Sequence, residues 1–573
     1  MRVADSIGKS YFRRVNLPDL NQSIADRDRF ERDWGRRPRA HMIAIVSRVP
    51  RMGVVVATTL LFPFAAHAQA DRWWADVKAL ADDSMRGRNT GSIEHKKAAE
   101  YVAAAFKAAG LQPTGINGYI QPVAFVGRTL DESKSSLALV RNGREENLKL
   151  GEDAILVARA SLAPHVNAPV VFAGYGLDLP EYGHDDISKL DLKGKVVAYL
   201  AGAPKGIPGP VLSHAHNAAW KTFQARGAVG MITFSAESAF VRAARGRATA
   251  PQPMALAEAA IDPQGGNTLS VQWNAARAEQ LFAGAPERFA RLMAKADSGL
   301  PLPTFTLPVR IRSTVAMAET KITSQNVAGV LTGSDARLRD EYVVLTAHLD
   351  HVGVGRPENG DSIYNGAMDN ASGTALLMDV ARKLKARGTH LKRSVLFLAV
   401  TGEEKGLLGS RYYAAHPTVP INRIAADLNT DMFLPIIPFT KLMVNGLEES
   451  DLADDARRAA AASGVTVITD PEPEQNRFVR SDQYSFILRG IPALSLKVGF
   501  DRNTPEHKAV LDFRSTRYHR AADDLNQHVD MQSAAGFERT YIALVTEVAN
   551  RPTRPAYLAN SYFKRFESRA PAQ

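Results

Sequence analysis

Residues 341–400 read EYVVLTAHLDHVGVGRPENGDSIYNGAMDNASGTALLMDVARKLKARGTHLKRSVLFLAV. The two apolar runs, EYVVLTA (341–347) and RSVLFLAV (393–400), are short and lack the alternation of a half-exposed strand. They predict strands buried on both faces. Between them, ASGTALLMDVARKLKAR (371–387) carries apolar residues at helical spacing and basic residues in its last turn, which predicts a helix. IAADLNT (424–430) and PALSLKV (492–498) repeat the strand signal, and GLLGSRYYAAH (406–416) repeats the helical one. Apolar strands alternating with amphipathic helices predict an α/β fold, with a mostly parallel sheet covered by helices on both faces.

The polar residues that matter stand just past the carboxyl ends of these strands. His348 and Asp350 follow the first, Glu403 and Glu404 the second, and Asp431 the third. Ligands of open α/β sheets bind at this edge. Asp369 precedes the helix, and His519 comes later, in YHRAADD. His348, Asp369, Glu404, Asp431 and His519 carry oxygen or imidazole donors suited to zinc. A catalytic zinc takes three protein ligands and keeps one position open. If one carboxylate bridges, five residues serve two ions roughly 3.5–4 Å apart, the arrangement of two-metal hydrolases. Glu403 is then unbound and free to accept a proton. Each piece alone has a plain reading: a polar strand end, a solvated glutamate pair, a helix N-cap. The signal lies in the ordered set at one sheet edge.

Composition bounds the function. A chain of 573 residues exceeds what one hydrophobic core usually organises. The net charge of +11 suggests a nucleic-acid partner, but residues 1–68 hold +6 of it. The remaining basic residues form no run, so no nucleic acid is expected. The absence of cysteine excludes disulfides, thiolate metal sites and thiol nucleophiles. There is no G-x-S-x-G elbow for a serine hydrolase. GVGRPE (353–358) lacks the third glycine of a dinucleotide fingerprint.

Gly53 to Ala66 form an apolar run preceded by Arg48 and Arg51 and followed by the small-x-small triplet Ala66-His67-Ala68. This predicts a signal peptide cleaved after Ala68, and hence export to a periplasm or the medium. About 14 apolar residues are too few to span a bilayer, so no stable membrane insertion is expected. The Arg/Asp-rich stretch before Met42 is unlike a signal peptide, and the expected start is Met42 or Met52. After the leader (1–68), three segments are expected. The first part of the main domain (69–160) opens with helices from Asp71 to about Leu111. A compact inserted module follows (161–315), with strands at PVVFAGYGL and GKVVAYLAG. The main part of the large domain (316–573) closes the chain.

The pieces TAHLDHVG, NGAMDNASGTA, TGEEKGLLGS, LNTDM, SDQYSF with GIPAL, and YHRAADD together resemble the co-catalytic di-zinc aminopeptidase family, which includes glutamate carboxypeptidase and plasma carboxypeptidase relatives. The resemblance covers about Asn326 to Asn550. It implies two Zn2+ per chain, one held by His348, Asp369 and Asp431 and the other by Asp369, Glu404 and His519. It also implies that Glu403 is the general acid/base, that Tyr518 helps stabilise the oxyanion, and that the Asp369–Asn370 peptide is cis. Asp350 is expected to orient His348 and Asp523 to orient His519, as outer carboxylates do for metal-binding imidazoles. Met368 departs from the family, where many members have a second Asp, and is expected to affect packing alone.

The inserted module resembles a protease-associated domain, on VVFAGYGL, LDLKGKVVAYLAG and WKTFQARGAVGMITFS, and its implied role is to cover the site. His214 and His216 within it are read as solvated loop residues rather than ligands. The implied partners are peptides and the implied reaction is aminopeptidase cleavage. Carboxypeptidase or dipeptidase action is the main alternative, with Arg477 and Arg480 as candidates to hold a substrate carboxylate. A glutaminyl-cyclase-like acyltransferase and an inactive receptor-like relative are the remaining ones. Oligomeric state has no sequence signal.

Overall fold

Tyr342–His348 lies at the centre of the larger sheet, flanked by Ser394–Val400 and Ile424–Asn429, all three parallel. The computed structural model describes residues 72–246, 252–266, 268–388 and 390–569. The expected leader (1–68), its cleavage point and the start at Met42 or Met52 lie outside the described residues.

The missing alternation in the sequence has a direct cause. Val343, Leu345 and Ala347 face one apolar cluster, built with the helices Ile93–Ala108, Ser372–Ala386 and Met531–Asn550. Val344, facing the other way, packs with Leu396, Leu398 and Val400 against Tyr413 and Phe486. Both faces are covered, so every position is apolar. Each buried large aliphatic side chain contributes about 1.5–3 kcal/mol, so these strands make a firm base for the residues at their ends.

The sheet runs Met254–Leu256, Ile120–Leu130, Met317–Leu331, Ser394–Val400, Tyr342–His348, Ile424–Asn429, Ala493–Val498, Lys441–Asn445, Thr466–Ile468. It is mixed rather than mostly parallel. The central strands are parallel, but Ile120–Leu130, Met317–Leu331 and Met254–Leu256 pair antiparallel, as do Ala493–Val498 and Lys441–Asn445. Strands in the first part of the chain are half-exposed, with buried and exposed residues interleaved in Ile120–Leu130, so they lack the apolar runs that mark the centre.

A second sheet of eight strands draws on residues from Ser136 to Thr314. It therefore begins before position 161, where the sequence placed the module's start. Ser136–Arg141, Arg144–Leu148 and Ala154–Leu156 all belong to it. Conversely, Met254–Leu256 leaves this stretch to join the larger sheet. His214 and His216 lie on a helix, Gly209–Ala225, and not in a loop. His214 is hydrogen-bonded to the Tyr484 hydroxyl at 2.7 Å and packs among Tyr562, Phe563 and Phe566, so it joins the two sheets' domains instead of meeting solvent. Among the described residues, no helix is long and apolar enough to cross a membrane.

Candidate metal centre

His348 ends its strand, and its carbonyl accepts from the Thr374 hydroxyl at 2.8 Å, which ties the strand end to the helix Ser372–Ala386. Its Nδ1 bonds the backbone carbonyl of Asp350 at 3.0 Å, leaving Nε2 to face Asp369 Oδ1 at 3.2 Å and Asp431 Oδ1 at 3.3 Å. The loop carrying Asp369 is pinned by Asp523, whose two carboxylate oxygens accept from the amides of Met368 and Asp369, both at 3.0 Å. Asn370 then fastens this loop to the one carrying Asp431. Its side-chain oxygen accepts from the Gly373 and Met432 amides, and its NH2 donates to the Thr430 carbonyl. The Asp369–Asn370 peptide is cis. Met368 is fully buried in the main core.

Asp369 is shared. Its Oδ1 faces His348, while its Oδ2 lies 3.1 Å from His519 Nε2, and His519 Nε2 is 3.0 Å from Glu404 Oε2. The sequence-predicted donors thus fall into two adjacent groups joined by one carboxylate: His348, Asp369 and Asp431, and Asp369, Glu404 and His519. Imidazole and carboxylate donors converging at such distances suit a divalent cation of the borderline class. Burial pushes the Asp369 carboxyl up, but His348 and His519 outweigh it and hold it well below the usual range.

Two expected supports act differently from the sequence reading. The Asp350 carboxylate does not touch the His348 ring. It accepts from the amides of Glu403 at 3.1 Å and Glu404 at 3.3 Å and from the Thr90 hydroxyl at 2.9 Å, so it positions the glutamate pair. Asp523 likewise does not contact His519 but shapes the Asp369 loop and accepts from Gln527 at 2.6 Å. Both loops needed a carboxylate for their free amides, a demand that spacing along the chain does not reveal.

Glu403 and Glu404 open the loop before the helix Leu408–Ala415. Burial pushes the Glu403 carboxyl well above the usual range; the His348 ring opposes this, and the Asp431 and Glu404 charges add to it. Such a group is poised to exchange protons. The Tyr518 ring stacks on His519 with centroids 4.0 Å apart, and its hydroxyl is pushed far up by burial and by the Asp369 and Glu404 charges, so it remains a donor. Glu403, Glu404 and Tyr518 line a cleft of about 720 Å³ whose opposite wall, including Arg159, Thr233 and Gln272, comes from the second-sheet region.

One residue was missed by the sequence reading. His351, three positions after His348, is fully buried, with its Nδ1 2.9 Å from Glu404 Oε1 and 3.8 Å from Asp369 Oδ2. Its place in the run TAHLDHVG is the available signal, but a histidine after a strand end has no periodicity to mark which way it turns. The candidates for a substrate carboxylate also divide. Arg477 is occupied by Asp470 and Glu472. Arg480 is exposed and donates to the Gln475 carbonyl at 3.1 Å.

Paired carboxylate–imidazole groups at the carboxyl edge of an α/β sheet, with a further glutamate beside them, suit a pair of divalent cations. Residues 326–545 match the model of Peptidase family M28. Among curated proteins, the chain is 28% identical over 289 residues to a "Probable zinc metalloprotease" of Pyrenophora teres f. teres, covering 44% of this chain and 57% of that protein. It is 33% identical over 198 residues to "Aminopeptidase Y" of Saccharomyces cerevisiae, covering 33% of this chain and 32% of that protein. The chain thus spans about half the length, or less, of the curated relatives it matches. Among solved structures, the "Aminopeptidase from Aneurinibacillus sp. strain AM-1" aligns over 85% of this chain and 95% of its own, with a TM-score of 0.48 and 20% identity.

Proposed function

We propose that this chain is an exported zinc exopeptidase that removes residues from the amino ends of peptides. The observation that carries the reading is the shared carboxylate of Asp369, which lets His348 and Asp431 on one side and Glu404 and His519 on the other hold two zinc ions. Bound there, zinc would supply Lewis acidity toward a scissile carbonyl and make a water acidic enough to react near neutral pH. The protein's own part is proton transfer and orientation. The Glu403 carboxylate takes a proton from the attacking water and delivers it to the departing amine. The Tyr518 hydroxyl donates to the oxygen that gains charge as the carbonyl becomes tetrahedral. Asp350, by accepting from the Glu403 and Glu404 amides, keeps the proton acceptor apart from the ligand.

The second-sheet region supplies one wall of the cleft, which supports an exopeptidase with restricted access. The second-sheet region, read as a protease-associated module, is the gate that limits what enters. Export rests on the Gly53 to Ala66 run, the arginines before it and the Ala66-His67-Ala68 triplet after it.

One observation favours a second reading, in which a substrate carboxylate is held. Arg159 and Arg411 both line the cleft, and neither has an ion-pair partner among the described residues. The buried Nε of Arg411 also lacks a hydrogen-bond partner. A panel of peptides decides between the two. With zinc-loaded protein, we expect cleavage of peptides with a free amino end and a C-terminal amide, and none of N-acetylated peptides with a free carboxyl end. The reverse pattern would assign a carboxypeptidase. Loss of turnover on the amide alone, with free dipeptides cleaved, would assign a dipeptidase.

A further inference from the structure

Arg88 has an exposure of 0%, and among the described residues no carboxylate forms an ion pair with it. A buried charge without such a partner is costly unless other groups satisfy it. The Arg88 guanidinium donates instead to four backbone carbonyls. Its Nε meets Leu349 at 2.9 Å, one Nη meets both Leu80 and Asn365 at 2.6 Å, and the other Nη meets Gly366 at 3.0 Å. Leu349 stands between His348 and Asp350, at the end of the central strand. Asn365 and Gly366 open the loop that carries Asp369. One planar fork thus joins two loops, each holding a candidate metal donor.

The residues beside Arg88 grip the same two loops. Gly87 stands in the left-handed region at φ +66°, and a Cβ there would lie 2.2 Å from the Tyr364 carbonyl oxygen and 2.7 Å from that of Gly353. Glycine alone lets the chain pass so close. The Arg88 carbonyl accepts from the His351 amide at 3.3 Å, and the Thr90 hydroxyl donates to the Asp350 carboxylate at 2.9 Å. In return, the Asn365 side chain donates to the Ala81 carbonyl and to the Asp83 carboxylate, both at 2.9 Å. Burial outweighs the charges of Asp523, Asp350, Asp369 and Glu404 and brings the Arg88 guanidinium down to about 10, which leaves it cationic at neutral pH. Carboxylates gathered in one buried site repel one another, and a fixed cation behind them offsets that repulsion.

We propose that Arg88 is a positioning residue for the metal centre, with Thr90 as its second point of attachment. The fork holds the loop after His348 and the loop before Asp369 at a fixed separation, so that the His348 ring and the Asp369 carboxylate face each other at 3.2 Å; this role rests on the zinc reading above. Lysine is no substitute, because an ammonium is a point charge on a flexible stem and lacks the planar fork that reaches carbonyls in several directions. Outer contacts that orient metal ligands are typically worth about 10- to 100-fold in metal affinity.

The test uses the full chain with cobalt(II) in place of zinc, because the visible absorption of cobalt reports the number and geometry of its donors. The variants are R88K, T90V and, for comparison, R393K. Arg393 is also fully buried, but it pairs with Glu341 at 2.7 Å at the amino end of the strand Ser394–Val400, the end opposite the site. For each chain, the unfolding temperature without metal, the cobalt spectrum and the zinc affinity by chelator competition are measured. We expect R88K to bind two ions with an altered spectrum and with zinc held about 10-fold or more weaker. T90V should show a smaller change of the same kind. R393K should lower the unfolding temperature and keep the wild-type spectrum and affinity. An R88K variant that loses stability as R393K does, with wild-type spectrum and affinity, would overturn this inference alone. If R88K does not fold, T90V decides, and an unchanged spectrum and affinity there would overturn the inference as well. A wild-type chain that binds neither metal would overturn the zinc reading and this inference with it.

Discussion

Glu403→Gln should cut peptide turnover by about 10²- to 10⁴-fold, the usual worth of a positioned acid–base group, while zinc content stays at the wild-type level. Glutamine keeps the size of the side chain and removes its ability to accept a proton. The backbone of the loop is untouched, since the Glu403 amide still donates to Asp350 and its carbonyl still accepts from the Gly406 and Leu407 amides. Glu403 stands outside both donor groups, so removing its charge removes no ligand. Steady-state kinetics on a free-amino-end peptide, with metal analysis of the same sample, reads both quantities. A zinc loss as large as the activity loss would show that Glu403 and Glu404 have been assigned each other's roles.

Asp369→Asn should have the broader effect, because one side chain serves both groups. Its Oδ1 faces His348 and its Oδ2 faces His519, so the amide leaves one oxygen where two were needed and removes the negative charge between them. Removing one partner of a buried charge set typically costs about 3–5 kcal/mol, or roughly 10²- to 10⁴-fold in affinity. Zinc should be lost from both sites together and activity with it. The Asp369 amide would still donate to Asp523, so the loop should keep its shape. Loss of a single ion, with the other held as in wild type, would show that the carboxylate is not shared.

The centre of the fold was legible because burial on both faces leaves no polar residues in a strand. Val343 to Ala347 and Val395 to Val400 show this directly. The site residues were legible for a related reason: polar groups at the ends of such strands stand out against them. What was not legible depends on contacts between distant parts of the chain. Asp350 was expected at the His348 ring and instead serves the Glu403 and Glu404 amides, 53 and 54 residues on. Asp523 was expected at His519 and instead holds the Asp369 loop, 154 residues back. In both cases the right type of residue was singled out but paired with its neighbour in sequence, and the neighbour in space was set by the folding of separate loops.

The second sheet shows the same limit. Ser136–Arg141 and Arg144–Leu148 form a hairpin whose residues are partly exposed, so nothing in their composition separates them from the first part of the larger domain. Arg477 was a reasonable candidate for a substrate carboxylate until Asp470 and Glu472 were seen to occupy it. Arg159 lies outside every motif singled out above, and Arg411 sits in the helical run GLLGSRYYAAH with nothing in its spacing to mark it as a cleft residue.

The most direct test of the central claim is an anomalous difference map at the zinc edge from crystals of the zinc-loaded protein. Two peaks per chain are expected, one among His348, Asp369 and Asp431 and the other among Asp369, Glu404 and His519. A single peak, or peaks away from Asp369, would contradict it.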